Sequence, residues 1–130
     1  MATFHRIQDI RVWHLAKQLV KEVYRLSDTG LLRKDHGLRN QMRRASVSII
    51  SNIAEGFERD GNREFIQFLS QAKGSAGEVL TQMYVAFEQR YVDSLTFEQL
   101  RSMALQTLRM LDNLMAYLRN SDIKGRKFRP

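Results

Sequence analysis

Cysteine is absent from the 130 residues. That excludes disulfides, thiolate nucleophiles and thiolate zinc sites together, and is compatible with a reducing compartment. Proline is confined to Pro130, so no earlier position lacks a backbone donor or forces a helix to break. No run of about 18 apolar residues is present to span a bilayer. Phe4, Ile7 and Ile10 are interrupted by His5, Arg6, Gln8 and Asp9, a pattern without the apolar core of a signal peptide. These absences predict a cytoplasmic protein, without a membrane partner, in which long helices are allowed. Acidic residues are in deficit, 14 against 21 Lys and Arg, giving a formal charge of +7 and a pI near 10.1. Binding to a polyanion is one reason for such an excess, because each cation placed on a phosphate releases counterions. Simple solubility is the other.

What is present points to one folded domain. Hydrophobic residues make up 43% and charged residues 27%, as in soluble globular proteins. Four apolar series recur at threes and fours, the spacing of a helical seam. The first is Val12, Ala16, Leu19, Val23 and Leu26, widened by Trp13, Val20 and Tyr24 and closed by the turn cluster Ser27 to Gly30. The second is Leu38, Met42, Ala45, Ile49, Ile53 and Phe57; the third is Phe65, Leu69, Ala72, Ala76, Val79, Met83 and Phe87. The fourth is Leu100, Ala104, Leu108, Leu111, Met115 and Leu118, opened by a capping box from Thr96 to Gln99 with Leu95 stapled onto Leu100. The expected helices are about 10–27, 36–58, 62–91 and 96–120. Short connections make sequence neighbours lie side by side, which predicts an all-α, antiparallel up-down four-helix bundle over residues 1–120. Residues 121–130 form a basic C-terminal tail.

The second helix carries more than one apolar face. Opposite its seam fall Val47, Ile50 and Ala54, and between the two runs a polar stripe of Gln41, Arg44, Ser48, Ser51, Asn52 and Glu55. An outer helix of a lone bundle needs one apolar stripe. Either these are scattered surface residues, or the helix is buried against its own bundle on one side and another subunit on the other, as in a homo-oligomer. The third helix holds Lys73-Gly74-Ser75-Ala76-Gly77-Glu78. Two glycines inside a helix cost about 1 kcal/mol each relative to alanine. Close approach of another helix would compensate. The spacing fits neither a P-loop nor a dinucleotide fingerprint, and the strands of a KH domain are missing.

Catalytic patterns are scarce. His5, His14 and His36 include no Glu-x-x-His pair and no HExxH. Glu55 and Glu78 sit mid-helix, where an ion pair with Arg43, Arg44 or Lys73 is the better reading of each. No serine has the G-x-S-x-G context. The sequence therefore predicts no enzyme, no metal site and no cofactor.

Val12-Trp13, Val23-Tyr24, Gln41-Met42-Arg43-Arg44-Ala45, Ser48-Ile49, Ser51-Asn52-Ile53-Ala54-Glu55-Gly56, Phe68-Leu69 and Gly74-Ser75 together form a recognisable set. By these residues the chain, from about Phe4 to Leu118, resembles the 23S ribosomal RNA intervening-sequence proteins, bacterial four-helix bundles. The resemblance implies a homopentamer, often encoded within insertions in the large-subunit ribosomal RNA gene, without an established enzymatic activity. Proteins of similar fold serve as accessory subunits of reverse transcriptases, where a basic pentamer engages RNA and the polymerase. Two departures stand out. Ile50 replaces a proline common in the family, and Asp28 to Lys34 replace its usual Phe-Pro connection.

Composition and resemblance lead to two functional readings. In the first, an oligomer binds RNA or another nucleic acid through Arg39, Arg43, Lys73 and Arg109. Lys124, Arg126, Lys127 and Arg129 on the tail add charge, beside Phe128 for stacking. In the second, the bundle is a protein-interaction scaffold for a polymerase or a ribosome-assembly factor.

Overall fold

Seam spacing becomes helix almost residue for residue. The structure, a computed structural model, describes residues 4–121; Lys124, Arg126, Lys127 and Arg129 lie outside the described residues. A single 3-10 turn, Ile7–Asp9, leads into α1, Arg11–Leu26. After it come α2, Gly30–Lys34; α3, His36–Glu58; α4, Asn62–Glu88; and α5, Ser94–Arg119. Five helices, four of them substantial, and no strand make up the described residues.

Each long helix packs on two others: α3 on α4, α4 on α5, and α1 on both α3 and α5. The core between them is the predicted one. Val12, Ala16, Leu19 and Val23 of α1 meet Met42, Ile49 and Ile53 of α3, Leu69, Ala72, Ala76 and Met83 of α4, and Leu100, Leu111 and Met115 of α5 in one buried cluster. Phe87 is the exception. It is 36% exposed, and Ala86 takes the buried place one residue earlier, since a strict run of fours drifts off a 3.6-residue turn. Two buried hydroxyls are satisfied by their own helices: Ser46 donates to Arg43 O at 3.0 Å and Thr107 to Met103 O at 2.8 Å.

The ends of the helices differ from the sequence reading in three places. Asp28 to Lys34, expected as a plain connection, contains α2, which starts at Gly30 with φ of +58° and plants Leu32 in the core. The fourth long helix starts two residues early. Its cap is Asp93, whose carboxylate accepts from the Thr96 amide at 2.7 Å. Thr96 thus lies inside the first turn, Leu95 is 69% exposed rather than stapled, and Phe97 is the buried residue there. The third long helix stops at Glu88, closed by amides of Arg90 and Tyr91 on the carbonyls of Phe87 and Ala86, a Schellman pattern with Arg90 at the left-handed position.

Polar contacts tie helix ends together. Tyr91 donates from its hydroxyl to Asp35 Oδ2 at 3.0 Å, linking the segment after α4 to the cap of α3. Asn62 Nδ2 donates to Leu118 O at 3.2 Å, linking the start of α4 to the end of α5. Gly56 marks a close helix approach. A Cβ there would lie 2.7 Å from Phe68 Cβ and 2.9 Å from Phe65 Cδ1, so α3 and α4 meet where only glycine fits. The Glu-Gly end of the Ser-Asn-Ile-Ala-Glu-Gly block is therefore a packing device.

Candidate nucleic-acid interface

Charge is divided unevenly along the fold. Residues 11–44, which cover α1, α2 and the first part of α3, hold nine Lys and Arg against three Asp and Glu. Residues 45–121 hold seven against nine. The net charges are +6 and −2, so the basic character of the bundle belongs to its first third.

The outer side of α1 is where this charge is displayed. Its core residues recur on one face, which leaves Arg11, Lys17, Lys21 and Arg25 exposed. Arg25 pairs with Glu22 on the same helix. Lys17 lies over the Trp13 ring, with Nζ 5.4 Å from the centroid. Trp13 is half-buried, and its other neighbour is the His14 ring, edge-on at 5.0 Å. His14 Nε2 donates to Gln8 O at 2.8 Å, which makes this histidine a clasp for the 3-10 turn.

At the C-terminal end of α1, α3 closes a shallow groove of about 470 Å³ lined by Tyr24, Asn40, Arg43, Arg44, Val47 and Ser48. Arg43 is fixed within it. Its Nε donates to Ser27 Oγ at 2.8 Å, its Nη2 lies 3.4 Å from Tyr24 O, and its guanidinium carbon sits 4.6 Å from the Tyr24 ring centroid. Tyr24 is 41% exposed and Arg44 is exposed. On the other side of Arg44, a second groove of about 380 Å³ is lined by Gln41, Ala45, Ser48, Glu78 and Gln82.

The sequence-derived candidates are scattered over this frame. Arg39 and Arg43 are both half-buried on α3, with Arg39 Nε out of solvent and without a hydrogen-bond partner. Lys73 is exposed on α4 but pairs with Asp112 of α5 at 2.8 Å. Arg109 is exposed on α5, within the acidic part of the chain. The structure thus brings Arg43 and Arg44 to the α1–α3 groove and puts Lys73 and Arg109 on the α4–α5 surface. Of the residues on this face, Trp13 and Tyr24 read in the sequence only as a widening of the α1 seam, and Lys17 and Lys21 only as part of the overall basic excess. Net charge taken segment by segment points to the two lysines but not to the rings.

The polar stripe of α3 is partly spoken for within the chain. Asn52 Nδ2 donates to Ser48 O at 2.8 Å and to Ser48 Oγ at 3.1 Å, and Ser75 of α4 donates to Ser48 Oγ at 2.8 Å. Glu55 pairs with Arg59 at 3.3 Å, not with Arg43, Arg44 or Lys73. Gln41, Arg44, Ser51, Glu55 and Glu78 stay exposed. Of the second apolar face, Ile50 packs on the margin of the core, Ala54 is half-buried and Val47 is 36% exposed. The stripe is narrower than the sequence implies, because Ser48 and Asn52 are half-buried and bonded to each other, and Ser48 to Ser75 of α4. Gly74 and Gly77 behave oppositely to Gly56: a Cβ at either would meet nothing within 4 Å. No helix among the described residues makes use of them.

Among the described residues no three His, Asp or Glu side chains gather to hold a metal ion. No helix among them is long and apolar enough to cross a membrane.

The sequence model of the 23S rRNA-intervening sequence protein family matches residues 8–113. A crystal structure of a protein with unknown function from the S23 ribosomal protein family of Bacteroides thetaiotaomicron is similar in fold, with a TM-score of 0.73 at 18% identity. The alignment covers 80% of this chain and 97% of that one. No curated protein is a significant match.

Proposed function

We propose that this chain, which belongs to the 23S rRNA-intervening sequence protein family, is a non-enzymatic cytoplasmic protein that binds RNA as a homo-oligomer. The observation that carries this reading is the division of charge, +6 over residues 11–44 against −2 over residues 45–121. Solubility needs charge but gains nothing from gathering it on one side. A polyanion does, because each phosphate neutralised adds salt-dependent affinity and a one-sided field steers encounter. The family's name, with its reference to 23S rRNA, agrees in kind.

The bundle reading is antiparallel and up-down, supported by contacts that join the end of one helix to the start of another: Arg43 with Ser27, Asn62 with Leu118, and Tyr91 with Asp35. Self-association is supported by Gly74 and Gly77, which cost helix stability and face open space. A pentamer follows from the family resemblance. Its subunits would use Gln41, Ser51, Ala54, Glu55 and Glu78, next to the open glycines. The enzyme-free reading is supported by how the polar side chains are engaged: Ser48, Asn52 and Ser75 bond to one another, and Glu55 to Arg59.

A protein scaffold is the second reading. Tyr84, Val85 and Leu105 are 42%, 40% and 38% exposed on the charge-poor α4–α5 side, which favours a protein partner, such as a reverse transcriptase, over nucleic acid. Pull-down from a lysate with and without nuclease separates the two. Under the first reading RNA is recovered, and digestion removes it and whatever it tethers. A protein partner that survives digestion, with no RNA enrichment in the undigested sample, contradicts that reading.

A further inference from the structure

We propose that the α1–α3 side of the bundle is a track for single-stranded nucleic acid, running from the groove at Tyr24 along the outer stripe of α1, in which bases lie on Tyr24 and Trp13 while Lys17, Lys21, Arg43 and Arg44 hold phosphates. This deepens the RNA-binding reading and rests on it. Charge alone suits a duplex and a single strand equally. The aromatic residues decide between them, because a base inside a duplex has no free face to lay on a ring, whereas an unpaired base has one.

Trp13, Lys17, Lys21 and Tyr24 follow one another at four, four and three residues, so they form one stripe along α1. Two cations lie between two rings on it. A strand can set a base on the ring at either end and its intervening phosphates on the two ammonium groups. Tyr24 is the better platform, since it is 41% exposed and the guanidinium over one face of its ring, 4.6 Å from the centroid, stands beside a base that takes the other face. Two nitrogens of Arg43 are committed to α1. That anchoring leaves Nη1 as the nitrogen open to a phosphate and removes much of the ordering cost of the side chain on binding.

The other aromatic group of the surface lacks these properties. Phe87 stacks on Phe97 at 4.4 Å and Tyr84 meets Phe97 edge-on at 5.0 Å, so those rings mainly face each other. The cation beside them, Arg101, donates to Tyr84 Oη at 3.0 Å and pairs with Glu98. The wide groove between α1 and α5, about 680 Å³, is lined by Glu22 and Glu98 as well as Lys21. Its carboxylates oppose a phosphate chain.

Trp13 is the one tryptophan of the protein, so intrinsic fluorescence reports on the track directly. The test titrates the full chain with a 20-nucleotide oligouridylate and with its duplex with oligoadenylate, following anisotropy of the labelled strand and emission of Trp13. The single strand should bind more tightly than the duplex and quench Trp13. Tyr24→Ala should weaken single-strand binding about fivefold or more, the loss of one base platform. Tyr24→Phe, which keeps the ring, should stay within about twofold of wild type, and both variants should keep the helical circular dichroism and its melting midpoint. Unchanged affinity in Tyr24→Ala, unchanged Trp13 emission, or tighter binding of the duplex overturns the track and leaves RNA binding by another face standing. No binding of either probe at low salt overturns both.

Discussion

At Gly56 one added methyl group would lie 2.7 Å from Phe68 Cβ; at Tyr24 a whole aromatic ring stands 41% exposed between cations. The two sites lie on opposite flanks of α3. Toward α4 the helix is packed to the limit, with Ser48, Asn52 and Ser75 closing the polar gaps. Toward α1 it keeps a groove and leaves large side chains unburied. Under the proposed function, stability and binding belong to different sides of one helix. Mutations should then separate the two properties cleanly.

The largest expected effect tests the packed side. Gly56→Ala forces α3 away from Phe65 and Phe68 and should cost about 1–3 kcal/mol of stability in urea denaturation. RNA affinity per folded molecule should not change; a proportional loss of affinity would break the comparison. Next come the open glycines. With no neighbour within 4 Å, Gly74→Ala and Gly77→Ala should each stabilise the isolated chain by about 0.5–1 kcal/mol. The same changes should weaken self-association in light scattering, because the added methyl meets the neighbouring copy. Destabilisation of the dilute chain would show that a partner for these glycines exists within it.

Ser75→Ala removes the hydroxyl that donates to Ser48 and should cost about 0.5–1.5 kcal/mol, with no effect on RNA binding. The smallest effect concerns pH. The hydrogen bond to Asp35, then partial burial and the Asp35 charge, raise the Tyr91 pKa above its ordinary value of 10.0. A raised folded value means the contribution is whole below pH 10 and is lost as pH climbs through the folded value. Thermal melts should therefore weaken above about pH 10, and Tyr91→Phe should remove that component. Asp93 runs the other way. Backbone and side-chain hydrogen bonds from Thr96 hold its carboxyl below the usual range, so its contribution is present above about pH 4 and fades as pH falls through the depressed value.

Much of the fold was legible in the sequence because long helices write their core at regular spacing. Every seam residue of α1 through Val23 is buried, as are Met42, Ala45, Ile49 and Ile53 of α3. What was not legible depends on neighbours. Gly56 and Gly74 look alike in a string of letters, and only the position of α4 makes one indispensable and the other idle. Thr96 is a plausible cap until Asp93, three residues ahead, supplies the carboxylate. The candidate binding residues are half visible. Arg43 was singled out for its charge, while Tyr24 and Trp13 were assigned to the seam because helical periodicity does not say where a face ends.

The central claim is that nucleic acid meets the basic α1–α3 side, and the salt dependence of binding tests it most directly. Lys17→Gln, Lys21→Gln and Arg44→Gln combined should flatten the slope of log K against log salt for oligouridylate by roughly 2, three contacts at about 0.7 each. Arg63→Gln, Arg90→Gln and Arg119→Gln remove the same charge from the acidic part of the chain and should leave the slope near that of wild type. An unchanged slope in the first variant, or an equal flattening in the second, would contradict the account.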